Sequence, residues 1–396
     1  MLLKIQNIEL EISRTQKNKA TEYHLGQLKA KLAKLRTELQ APVAKGETGV
    51  GFEVQKYGDG RVALIGFPSV GKSSLLTQLT GTESEAAAYE FTTLTCIPGI
   101  IHYNESKIQL LDLPGIIEGA ADGKGRGRQV IAVCKSADLL LMVLDATKPI
   151  NHKQILTAEL ESVGVRLNRD PPNIYFKKRK TGGMSINSTA PLTHMDDRMI
   201  QRILQEYRIH NVEILFKEDS TVDDLIDVIE GNRRYVKCLY VYNKVDMCSI
   251  EEVDEMARWP NSIPISCSLA LNMDGLLERI WDMMALVRVY TKRTGAKPDF
   301  DAPVVLTSDR GGTTMESFCR QIHNSLISEF KYALVWGVSS KHYPQRCGLV
   351  HRLEDEDVVQ IVKKKVMGEE GRGRFKTTSD KPLRIQDREK KAALKS

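Results

Sequence analysis

The run Gly66-Phe67-Pro68-Ser69-Val70-Gly71-Lys72-Ser73 places two glycines, a lysine and a hydroxyl at the spacing GxxxxGK[ST], with Ser74 directly behind it. Glycines let a backbone curl so that successive amides turn inward around phosphate oxygens. The lysine reaches the β and γ phosphates, and the Ser73 hydroxyl ligates Mg2+. Asp112-Leu-Pro-Gly115 has the form DxxG, in which Asp112 supports the metal through water and the Gly115 amide senses the γ-phosphate. Asn243-Lys244-Val-Asp246 addresses a base. The carboxylate at its fourth position accepts from both guanine N1–H and N2–H, a donor pair that adenine lacks, and Lys244 lies along the base plane. Ser266-Cys267-Ser268 is expected to offer backbone amides to the guanine O6. Within Phe91-Thr92-Thr93, Thr93 is expected to coordinate Mg2+, with Thr92 the nearer alternative. Lys72, Thr93 and Gly115 are the expected catalytic groups, and Ser73 and Thr93 the metal ligands.

The residue after DxxG is Ile116, where many such sites carry a glutamine that orients the attacking water. Hydrolysis must then rely on other groups or on a partner, and a slow intrinsic rate is expected. Gly119 to Arg128 is glycine-rich and basic, a segment suited to ordering on γ-phosphate or on a partner, or else a merely flexible loop.

These motifs need a scaffold that brings them to one edge. Apolar strands are expected at Arg61–Ile65, Ile108–Asp112, Leu139–Asp145, Cys238–Asn243 and Ile263–Ser266, alternating with helical stretches. Short, nearly continuous apolar strands of this kind indicate a parallel sheet covered on both faces. The fold class is α/β, with domain pieces at 61–163 and 232–290. Residues 164–231 exceed what one crossover requires and read as a small inserted α/β domain, with a basic loop at Lys177–Lys180 and two helical stretches. Residues 1–60 begin with an apolar stripe of Ile5, Ile8 and Ile12. A seam of Leu25, Leu28, Leu32, Leu35 and Leu39 follows, which reads as two helices folded back and packed on the main domain, or as a docking surface for a partner helix or RNA. Residues 291–365 read as a mixed α+β module with strands at Val304–Leu306 and Tyr332–Trp336 and a helix from Thr314 to about Leu326. Residues 366–396 read as a disordered basic tail.

Composition agrees with a folded chain of 396 residues, 41% hydrophobic and 27% charged. A net charge of +6, from 57 Lys+Arg against 51 Asp+Glu, permits contact with nucleic acid without demanding it. Seven cysteines, odd in number and without a CxxC pair, argue against a disulfide framework or zinc ribbon. No apolar run reaches the roughly 18 residues of a membrane span, and the first residues lack a signal-peptide pattern. The expectation is a cytoplasmic protein with no membrane partner.

The five motifs in order, with the wording GFPSVGKSSLL, AAYEFTTLT, QLLDLPGIIEGAADGKGRGRQVIAV, PPNIYFKK, Thr221–Asp227 and EFKYALVWG, resemble the developmentally regulated GTP-binding proteins, relatives of the Obg-like GTPases. The resemblance spans about residues 10–365, and Ile12–Gly26 looks like the second eukaryotic branch. It implies a helix-turn-helix-like N-terminal segment, a small α/β domain inside the G domain, and a C-terminal TGS domain of ubiquitin-like fold. It also implies a GTP-hydrolysing switch associated with the ribosome or RNA in translation and growth regulation, and a stabilising partner bearing an RWD domain. GTP and GDP would be substrate and product, with Mg2+. Potassium-activated relatives often carry Asn where this chain has Ser69, so potassium dependence is not readable there. A nucleotide-stabilised RNA-binding adaptor with incidental hydrolysis stays open as the alternative.

Overall fold

In the computed structural model the described residues are 2–16, 18, 21–40, 58–80, 97–112, 134, 136–149, 151–307 and 312–364. The chain divides into two compact units that part at Leu286/Val287. The first opens with helices α1 (Leu2–Arg14) and α2 (Glu22–Gln40). Arg36 to Glu9 and His24 to Glu11, at 2.7 and 2.8 Å, pair the two helices.

Strand β1 (Gly60–Ile65), helix α3 (Lys72–Thr80), β2 (Ile97–Tyr103), β3 (Ser106–Asp112), β4 (Leu139–Asp145), α4 (Asn151–Ser162) and β5 (Val165–Leu167) come next. An excursion then builds β6 (Ile174–Lys178), β7 (Met184–Ser188), α5 (Asp197–Glu206), β8 (Val212–Phe216) and α6 (Val222–Glu230). The chain returns through β9 (Arg234–Asn243), α7 (Ile250–Arg258), β10 (Ser262–Pro264) and α8 (Met273–Met284). The main sheet runs β10-β9-β4-β1-β3-β2, with β5 also on β9. All of its pairs are parallel except β2 with β3. Every residue of β1 and β4 is buried, as the continuous apolar runs require of central strands sandwiched between helices. Parallel register carries the C-terminal ends of β1, β3, β4 and β9 to one edge, where Leu64 lies beside Asp112 and Asp145 beside Asn243. β5 falls within the stretch read as insertion, yet it pairs with β9 in the main sheet.

The excursion forms a three-stranded sheet in the order β6-β8-β7 under α5 and α6. α6 is set by a capping box between Thr221 and Asp224 and stopped by Gly231 in the left-handed conformation. The core of this module includes Met199, Ile200, Leu204, Phe216 and Leu225, and also Ala30 from α2. The N-terminal helices therefore pack on the inserted module, where the sequence reading expected the main domain. The reason is apolar burial: Ala30 is fully buried in the core of that module, with Tyr23 and Ala33 packed against it, and Gly26 faces Met199 at ordinary contact distance. Leu25 and Leu28 of the leucine seam are buried, whereas Leu32 and Leu35 are half-buried.

The second unit carries β11 (Leu286–Lys292), β12 (Pro298–Thr307), α9 (Met315–Ile322), α10 (Ser325–Glu329), β13 (Phe330–Trp336), β14 (Gln345–Cys347) and β15 (Asp357–Lys363), with sheet order β12-β11-β15-β13-β14. The single helix expected over 314–326 is broken at His323, whose extended backbone (φ −168°, ψ 134°) ends α9. Residues 366–396, read as a basic tail, lie outside the described residues.

Candidate nucleotide site

β1 delivers the chain into the glycine-rich turn. A Cβ on Gly66 would lie 2.4 Å from the Val143 carbonyl oxygen, so only glycine leaves β1 so close to β4. Ser69 (φ 64°) and Gly71 (φ 94°) take left-handed backbone, which bends the loop before α3 begins at Lys72. Phe67 is half-buried against the core, with its ring 4.7 Å from that of His152, while Val70 is buried and Pro68 is exposed. Lys72 is 8% exposed, and its Nζ donates to the carbonyls of Gly66 at 2.9 Å and Phe67 at 2.8 Å. Burial lowers its proton affinity, and the charge of Asp112 opposes that shift. The ammonium thus sits across the mouth of a loop whose helix amides form an anion site.

Asp112 closes β3. Its Oδ2 accepts from Ser73 Oγ at 3.1 Å, while Oδ1 is buried with no hydrogen-bond partner among the described residues. An unpaired buried acceptor costs about 1–3 kcal/mol, so a partner beyond the described residues is needed to satisfy it. A hydroxyl beside a buried, half-satisfied carboxylate at a phosphate loop fits Mg2+ held with few protein ligands and several waters. Among the described residues, no group of three or more His, Cys, Asp or Glu could cage a metal without the phosphates.

Asn243, at the end of β9, ties the two halves of the site together. Its Nδ2 donates to the Val70 carbonyl at 2.9 Å, and its Oδ1 accepts from the amides of Lys244 (2.8 Å) and Cys267 (3.0 Å). Lys244 is left-handed (φ 67°), and its Nζ donates to the Ser69 carbonyl at 3.0 Å and to Asp145 Oδ2 at 2.8 Å. Asp246 Oδ1 accepts from Ser266 Oγ at 2.5 Å, and that bond leads the effects holding its carboxyl below the usual range. Ser266 Oγ also meets Ser268 Oγ at 2.8 Å.

The structure therefore brings Gly66 to Ser74, Asp112, Asn243, Lys244, Asp246, Ser266 and Cys267 to one sheet edge. Two expectations change. Asn243, expected with Asp246 at the base, uses its side-chain oxygen and one amide hydrogen to hold the loops together. The amides of Ser266 and Cys267, expected to face guanine O6, donate to Leu271 O at 3.3 Å and Asn243 Oδ1, because this loop closes on itself and on β9. Thr92, Thr93, Gly115 and Ile116 lie outside the described residues. Sequence reasoning missed Asp145, which holds Lys244, Thr147, which fixes the Asp145 carboxylate, and Gln78, whose Nε2 donates to the Cys267 carbonyl at 2.9 Å. Only the position of Asp145 at the end of an apolar strand could have flagged it.

Comparison with known families agrees with this geometry. Residues 61–178 match the family model described as 50S ribosome-binding GTPase, 181–286 match the C-terminal region of that domain, and 287–363 match the TGS domain. Developmentally-regulated G-protein 2 of Arabidopsis thaliana is 69% identical over 394 residues, which cover 99% of this chain and 98% of that protein. Developmentally-regulated GTP-binding protein 2 of Homo sapiens is 60% identical over 365 residues, covering 92% of this chain and all of that protein. With the glycine-rich loop, the base-side carboxylate and the TGS module in one chain, and identity at this level along nearly its whole length, the protein belongs to the developmentally regulated GTP-binding protein family.

Proposed function

We propose that the chain is a slow GTP-hydrolysing molecular switch that works on the ribosome and acts in translation or growth regulation. The observation that carries the nucleotide part is the Asn243 bridge, which sets a phosphate loop and a guanine-type carboxylate at one sheet edge. Gly66 to Ser74 would hold the phosphates, with Lys72 on the β and γ oxygens. Ser73 would hold Mg2+ directly and Asp112 through water, and the metal supplies charge neutralisation at the phosphates. Asp246 would read guanine N1–H and N2–H, held in place by Ser266. A guanine O6 would share the Cys267 amide with Asn243. Thr93 and Gly115 would complete the metal site and sense the γ-phosphate. With Ile116 where a water-orienting glutamine would stand, turnover would be slow without a partner.

The ribosomal part of the reading is supported by the matched family description, 50S ribosome-binding GTPase; a stabilising partner with an RWD domain and a cytoplasmic location are proposed on the family resemblance alone. Among the described residues, no helix is long and apolar enough to cross a membrane.

Asp246→Asn tests the nucleotide assignment. The amide should weaken GTP binding by about 2 kcal/mol or more and shift preference toward xanthine nucleotides, whose donor and acceptor are exchanged. Unchanged GTP affinity in a titration would overturn the assignment. Cosedimentation with ribosomes across a salt series tests the rest. Stronger pelleting with a non-hydrolysable GTP analogue than with GDP at moderate salt supports a switch. Equal pelleting that vanishes with salt points to the adaptor reading.

A further inference from the structure

We infer that Asp145 is a positioning residue for the guanine nucleotide, holding the Lys244 ammonium against Ser69 so that the Lys244 stem and the phosphate loop keep one arrangement. The inference rests on the reading of residues 243–246 as the base-binding sequence and extends it to a residue that no motif contains.

Asp145 ends β4, beside Asn243 in parallel register, with its side chain 7% exposed against 36% for Lys244. Its two oxygens have separate work. Oδ1 accepts from the Thr147 amide at 3.0 Å and the Thr147 hydroxyl at 2.7 Å, which fixes the plane of the carboxylate. Oδ2 is thereby turned to Lys244 Nζ at 2.8 Å. The turn is pinned from behind, since the Ala146 amide donates to the Asn243 carbonyl at 2.9 Å. Burial alone would raise the Asp145 carboxyl, yet the hydrogen bonds from Lys244 and Thr147 hold it below its ordinary range, so the group is a settled anion.

The ammonium it grips also donates to Ser69 O at 3.0 Å, and both Ser69 and Lys244 are non-glycine residues with left-handed backbone. One charged group thus joins two strained backbone positions, one under the phosphates and one beside the base. A sheet strand has no need of a buried carboxylate at this position, and an apolar residue would pack there without desolvation cost. Its use is to stop the long lysine stem from sampling other rotamers, so that the stem is already laid along the base plane before nucleotide arrives. Because that contact is with the face of the base, Asp145 should set affinity for purine nucleotides in common, while Asp246 sets the choice of base edge.

The test uses the full chain and the substitution Asp145→Asn, which keeps volume and removes charge. Affinities for GDP, a non-hydrolysable GTP analogue and inosine diphosphate should all fall about tenfold, with kcat at saturating GTP within about twofold of the parent. Lys244→Met should weaken binding similarly, and the double variant should bind no more weakly than Lys244→Met alone, because the carboxylate acts through that lysine. Unchanged affinity in Asp145→Asn, or an additive loss in the double variant, would overturn the inference. If Asp145→Asn does not fold, Thr147→Ala serves, since it removes the hydroxyl bond to Oδ1, keeps the backbone amide bond and spares the ion pair; it should weaken GDP about threefold, and parental affinity would count against the inference. Asp246→Asn, run alongside, separates the two readings. Xanthine preference in that variant keeps the base-binding assignment standing whatever Asp145 does, and its absence removes the assignment itself.

Discussion

Asp227, where β5 meets α6, and Asp112, at the end of β3, are both buried carboxylates, 5% and 8% exposed. Their surroundings differ in kind. Asp227 accepts from Arg166 Nε at 2.7 Å and Nη2 at 2.8 Å, from Arg233 Nε at 3.1 Å and from the Tyr235 hydroxyl at 3.4 Å. Burial and the Asp227 charge push the Tyr235 phenol up to about 12, so it remains a donor at neutral pH. Asp112 has one serine on one oxygen and no partner among the described residues on the other. Around the nucleotide site Ser69 and Lys244 are non-glycine residues with left-handed backbone and Gly71 takes positive φ as well; near Asp227, Gly164 before β5 and the cap Gly231 after α6 take positive φ, as does Asn168 after β5. A saturated buried cluster holds modules together. A buried acceptor with no partner among the described residues is where the proposed metal and its waters would bind.

The largest effect should come from breaking the saturated side. Asp227→Ala strands two guanidinium groups, on Arg166 and Arg233, that are 14% and 6% exposed in their side chains. Removing one partner of a buried pair costs about 3–5 kcal/mol, because the remaining charge stays desolvated and uncompensated. Thermal or urea unfolding of the nucleotide-free chain should register that loss, while the folded fraction should bind GDP with parental affinity. A variant that unfolds normally would show that the cluster is dispensable and that the inserted module is held by its apolar core alone.

How much of this was legible beforehand follows from the range of each interaction. The phosphate loop is local in sequence, so spacing alone placed Gly66 to Ser73. β1, β3 and β4 were legible because strands buried on both faces carry short, nearly continuous apolar runs, here Val62–Ile65, Leu110–Leu111 and Leu139–Leu144. β2 was not, since it depends on a two-residue hairpin at Asn104-Glu105, where both residues take positive φ without the glycine that normally signals such a turn. The leucine seam of α2 showed which face is apolar, yet could not say which body covers it, because Met199 and Phe216 lie in a module almost two hundred residues onward. Asp145 and Gln78 were silent for the same reason, as their partners Lys244 and Cys267 meet them only across the folded sheet.

The strained side should break differently. A Cβ at Gly71 would lie 2.3 Å from Asn243 Nδ2, on backbone with φ 94° that an L side chain rarely adopts. Asn243 cannot give way freely, because it is pinned to Val70 and Cys267. Gly71→Ala should therefore pry the phosphate loop from the base loop, at a cost of about 1–3 kcal/mol of backbone strain. The signature is a loss of GDP affinity larger than the accompanying loss of nucleotide-free stability. Equal losses in calorimetry and unfolding would mean that Gly71 serves the fold and not the site.

Lys72 sharpens the comparison furthest, because its removal should change stability in the opposite direction from Asp227. On the proposed reading the ammonium is buried to meet phosphates, and among the described residues its hydrogen-bond partners are two backbone carbonyls. Burial has lowered its proton affinity in the folded chain, so the unfolded chain binds that proton more tightly. The charge therefore opposes folding at neutral pH, and the opposition fades as pH rises toward the ordinary lysine range of about 10.4. Lys72→Met should abolish GTP binding yet raise the nucleotide-free melting temperature slightly, on the order of 1 °C. That gain should shrink between neutral and alkaline pH as the parent lysine sheds its proton. A melting temperature lowered by the methionine at every pH would place Lys72 among the groups that hold the loop together, and the division between saturated and expectant charge would fail at its central residue.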